Sequence, residues 1–101
     1  MMRPFIADGE TAPLVQALCV QLFQGRLLRA VGLDGRSYTA GPYQTADGVK
    51  TFVLLAWPHG VEERSGDAFD VATAFVAQLP LAERDRLERG LGVSSAAQEV
   101  A

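Results

Sequence analysis

Thr51-Phe52-Val53-Leu54-Leu55-Ala56-Trp57-Pro58 is apolar at nearly every position and ends on a residue that has no backbone donor. At the two-residue period of a strand, Phe52, Leu54 and Ala56 fall on one face and Val53, Leu55 and Trp57 on the other, so both faces need cover. Such a strand is the spine of a small mixed domain. Just upstream, Asp47-Gly48 supplies a tight turn, because both residue types tolerate positive φ. A two-residue loop there pairs Ala46 with Val49 and sets Tyr43 opposite Phe52. A second turn, Asp34-Gly35, folds 26–33 back onto 36–40, pairing Leu33 with Arg36 and Val31 with Tyr38. Gly41-Pro42 punctuates the chain between strands. The predicted fold is α+β: a four-stranded antiparallel meander packed by helices, with strands near 27–33, 36–40, 42–46 and 49–57. Partial closure of the sheet, first strand to last, stays open at this level.

The flanking segments read as helices. Thr11 can cap a helix over 12–24, Pro13 is tolerated in its first turn, and Leu14, Val15, Leu18, Cys19, Leu22 and Phe23 form a broad stripe. The same apolar residues also permit a strand around 18–23, so the first element has two readings. Beyond the spine, Pro58-His59-Gly60 starts a connection, and Ser65 or Asp67 can cap a helix running to Leu79. Its expected face toward the sheet is Ala68, Phe69, Ala72, Phe75, Val76 and Leu79. Pro80 redirects the chain into a shorter helix over 81–89, where the Arg84–Glu88 and Asp85–Arg89 spacings permit ion pairs and Gly90 and Gly92 favour termination. Residues 1–10 and 93–101 are expected to be less ordered parts of one domain.

With 101 residues, one modest core is the natural reading. The net charge of −3 gives no electrostatic reason to expect a nucleic-acid surface. No apolar run reaches the roughly 18 residues of a membrane span. One cysteine forms no internal disulfide, and the start of the sequence lacks a signal-peptide pattern, so a cytoplasmic location is expected. Cys19, flanked by Leu18 and Val20, reads as a buried thiol rather than a nucleophile.

No catalytic, metal-binding or cofactor-binding motif is assembled, and a non-enzyme is favoured. The favoured reading is a protein-interaction or regulatory domain that uses an exposed sheet edge or the acidic residues Glu62, Glu63, Asp67 and Asp70. The alternative is small-molecule binding at the end of the central strand. There Trp57 offers an apolar surface, His59 a donor or base, Glu62 or Glu63 a carboxylate and Ser65 a hydroxyl, with hydrolysis ranked below binding. Trp57, Tyr38 and Tyr43 could also form an aromatic recognition patch, although core or sheet-edge packing is the favoured explanation of them. Homodimerisation is a further expectation, since a small meander has a limited core and an exposed edge.

Overall fold

The computed structural model describes residues 12–92. Helix α1 (Ala12–Phe23) leads into a sheet of β1 (Leu28–Val31), β2 (Ser37–Gln44), β3 (Lys50–Trp57) and β4 (Val61–Gly66). Helices α2 (Ala68–Ala77) and α3 (Leu81–Leu91) follow. The sheet is an antiparallel meander in sequential order, and it is open: β1 and β4 are its two edges. The α+β class and the four-stranded meander stand as expected. The first element is a helix, although Thr11, its expected cap, and the two terminal segments lie outside the described residues.

The expected strands are redistributed. Segments 36–40 and 42–46 are one strand, β2, running through Gly41-Pro42. Proline is tolerated there because of which way its nitrogen faces. The Thr45 N–H donates to Val49 O, so the odd-numbered residues of β2 bond to β3 and the even-numbered ones face β1. Strand β1 begins at Leu28, opposite Ala40, so Pro42 lies beyond its end and no ladder bond is lost. Gly41 is needed for another reason: the Leu27 side chain lies across it, and a Cβ there would collide with Leu27 Cδ2.

The fourth strand is β4, within the segment expected to be a connection. The chain turns through Pro58-His59-Gly60, with Gly60 at φ 66° and a cis peptide between Trp57 and Pro58. A bulge between Leu54 and Leu55 then pairs Arg64 with Leu54 and Glu62 with Leu55, leaving Glu63 as the inserted residue. The cap of α2 is therefore Asp67 and not Ser65, its carboxylate accepting the Asp70 N–H at 2.7 Å.

Both Asp-Gly hairpins differ from expectation by one residue. Gly35 N–H donates to Gly32 O while Gly32 N–H donates to Arg36 O, and Gly48 N–H donates to Thr45 O while Thr45 N–H donates to Val49 O. Each loop is thus a three-residue turn whose glycine, at φ 82° or 88°, takes the left-handed position. The extra residue shifts the register: Val31 pairs with Ser37, Ala30 with Tyr38, and Tyr43 with Thr51.

Leu28, Ala30, Tyr38, Ala40, Leu54 and Ala56 consequently share the inner face and are buried, as the alternation within β3 requires. Helices α1 and α2 cover them, through Leu14, Val15, Leu18 and Leu22 on the first and Val71, Ala72, Phe75 and Val76 on the second. Helix α2 is buried around most of its circumference, and the expected core residue Phe69 stands half exposed instead. The β1–β2 turn docks on the end of α2, where Leu33 N–H donates to Gln78 O at 2.7 Å. Arg64 reaches from β4 to the first turn of α2 and grips Asp70 through two bonds of 2.9 and 2.7 Å. Among the described residues no helix is long and apolar enough to cross a membrane.

Candidate interaction face of the sheet

The side chains that alternate with the core residues have no such cover among the described residues. The register arranges them in rows across the strands: Val31, Ser37 and Trp57; Arg29, Thr39, Leu55 and Glu62; Gly41, Val53 and Ser65, with Leu27 lying over Gly41; and Tyr43 with Thr51. Leu27, Val31, Tyr43 and Trp57 are exposed, and Val53 and Leu55 are partly so. Two shallow recesses lie on this face. One is bounded by Leu27, Arg29, Thr39, Leu55 and Trp57, the other by Tyr43, Val53, Leu55, Glu62 and Ser65. Leu55 is common to both, and no helix residue lines either. The Trp57 indole is held in the plane of the face, its Nε1–H donating to Thr39 Oγ1 at 2.9 Å while its ring lies over Gly60.

Three of the five residues expected to bind a ligand therefore meet on this face: Trp57, Glu62 and Ser65. The other two stand apart. His59 is exposed at the turn and borders neither recess. Glu63 turns to Arg36, with its carboxylate 3.6 Å from Nη1. Of the residues proposed as an acidic surface, Glu63 is thus engaged with Arg36, Asp67 caps α2 and Asp70 is clamped by Arg64, while Glu62 alone points into the open face. Trp57 and Tyr43 share the outer face, but Tyr38 is buried on the inner one.

The sheet edge at β1 is flanked by α3. Residues 29 and 31 direct their backbone groups away from β2, toward α3: Arg86 Nη2 donates to Arg29 O at 3.4 Å, and the Val31 backbone contributes, after Arg86, to lowering the Glu83 carboxyl. Glu83 and Arg86 are themselves paired at 2.8 Å, and Arg86 chiefly holds the Glu83 carboxyl below its usual range. Among the described residues this is the ion pair that α3 forms, one step removed from the spacings expected in sequence. It holds Arg86 on the Arg29 carbonyl, one of the acceptors that an added strand would need. The β4 edge carries the bulge and charged residues, both of which discourage strand addition.

Chemistry elsewhere is sparse. Cys19 packs against the core, and burial, aided by the charge of Asp67, raises its thiol above the ordinary range. No group of three or more histidine, cysteine or carboxylate side chains among the described residues could hold a metal ion. A further open recess, between the end of α1 and the β2–β3 hairpin, is bounded by Phe23, Pro42, Tyr43, Lys50 and Phe52. Its floor is the edge-to-face pair of Phe23 and Phe52, 5.5 Å between centroids. Comparison with family models, with curated proteins and with solved structures gives no match.

Proposed function

We propose that this chain is a non-catalytic interaction domain whose recognition surface is the outer face of its sheet. The observation that supports this reading is the asymmetry of β3. Leu54 and Ala56 are sealed under helices, whereas Leu55 and Trp57, equally apolar and on the same strand, face a surface that none of the described helices covers. An aromatic and aliphatic centre with Arg29 and Glu62 at its margins has the make-up of a protein interface: apolar anchors inside, charge at the rim. The β1 edge, with Arg86 on its Arg29 carbonyl, and the bulged β4 edge favour recognition at the face over strand addition.

A photo-crosslinking amino acid placed at Thr39, in the middle of the face, tests the reading in native extract. The expected result is a discrete adduct that is lost on Leu55→Arg and absent when the probe sits at Glu88 on α3. Equal labelling from both positions, or none from Thr39, would overturn it. The small-ligand reading is less well supported, because His59 and Glu63 do not join Trp57, Glu62 and Ser65.

A further inference from the structure

We propose that the occupant of the outer face is a second copy of this chain, packed sheet against sheet about a two-fold axis running close to the strand direction, between β2 and β3. The inference rests on the reading of this face as the recognition surface, and the strand register carries it. Arg29 pairs with Thr39, Thr39 with Leu55 and Leu55 with Glu62, so the four form one row across the sheet. The cation stands on one edge strand and the carboxylate on the other. A two-fold rotation about an axis along the strands exchanges the edges, laying β1 of one copy over β4 of the other. Arg29 of each copy then stands over Glu62 of the second, twice per dimer.

Packed sheets lie about 10 Å apart, a gap that an arginine and a glutamate extended toward each other can span. Neither side chain has an ion-pair partner among the described residues. An axis across the strands would instead set Arg29 against Arg29 and Glu62 against Glu62, which like charge disfavours. Between the paired rims, Leu55 of one copy meets Thr39 of the other, and the neighbouring rows bring Val53 and Trp57 into the same layer.

Size sets the strength to look for. At about 3.3 Å per residue and about 4.8 Å between strands, the four strands present about 400 Å² per copy in flat projection. Counting both copies that is about 800 Å², below the roughly 1,200 Å² of a stable specific interface, so the contact is a weak and reversible one.

Sedimentation equilibrium from low micromolar to several hundred micromolar tests the proposal. The expected result is a reversible monomer–dimer equilibrium that Arg29→Glu and Glu62→Arg each weaken about tenfold or more. Both sites are exposed, and circular dichroism checks that each variant is folded. The decisive sample is an equimolar mixture of the two variants. One copy then carries two carboxylates and the other two guanidiniums, so the mixture should pair at wild-type strength although neither variant self-associates well. A wild-type chain that stays monomeric throughout, a dimer indifferent to both substitutions, or a mixture no stronger than its components would overturn the proposal. A monomer whose Thr39 probe still captures a protein of another mass would overturn the second copy while leaving the face itself as the recognition surface.

Discussion

Tyr38 and Asp34 make the first hairpin depend on pH. The Tyr38 hydroxyl donates to Asp34 Oδ2 at 2.7 Å and accepts from Arg36 Nη2 at 2.9 Å, with the guanidinium 5.4 Å from the centre of its own ring. These bonds, Tyr38 first and Arg36 second, lower the Asp34 carboxyl to about 2. Because the folded value lies below the unfolded one, the stabilisation is present above about pH 4 and is lost as pH falls through about 2. Asp34→Asn should therefore flatten that part of the acid-unfolding profile, followed by circular dichroism. Tyr38→Phe should cost about 1 kcal/mol at neutral pH and lower the melting midpoint by about 4–8 °C. An unchanged acid profile in Tyr38→Phe would contradict the assigned bond. At this scale the sequence was legible as to where the chain turns but not how. Asp-Gly marks the bend, yet whether glycine closes a two-residue loop or follows a type I turn depends on side chains. Here the Asp34 carboxylate accepts the Arg36 N–H, and Thr45 pairs with Asp47.

A one-residue change of register exchanges the faces of a strand, and the clearest consequence is at β3. Leu54 and Leu55 are neighbours of one residue type with opposite surroundings: Leu54 is 0% exposed, and Leu55 sits in the open recesses. Leu54→Ala should cost about 2–5 kcal/mol in urea unfolding, while Leu55→Ala in dilute monomer should cost about 1 kcal/mol or less. Comparable losses would mean that the outer face is covered within the chain. The β1 edge gives a second test. Glu83→Ala with Arg86→Ala should speed amide exchange at Val31 relative to Ala30, whose backbone faces β2. Unchanged exchange at Val31 would show that α3 does not guard the edge. Strand β4 was the least legible element. Val61-Glu62-Glu63-Arg64-Ser65-Gly66 has almost no apolar alternation, because it is an edge strand, is interrupted by a bulge, and fills its inner position with an arginine held by Asp70. The signal that could have found it was the glycine-containing loop Pro58-His59-Gly60 directly after the spine strand.

For the molecule as a whole, the need of β3 for cover on both faces was readable from eight residues, and among the described residues only one face receives it. What could not be read was which cover is internal. That is decided by where α1 and α2 dock, through long-range contacts with no local signature. The charged row is equally hidden, since Arg29 and Glu62 are far apart in sequence and align only when three registers are known together. Trp57 is the sole tryptophan and lies on the outer face, 40% exposed, so its own fluorescence reports whether that face closes on a second copy. The most direct measurement is its emission across the concentration range of the sedimentation experiment. The expected result is a shift to shorter wavelength with rising concentration, following the dimer fraction and absent in Arg29→Glu. An emission maximum that does not move while the chain self-associates would place the interface elsewhere and contradict the assignment of the face.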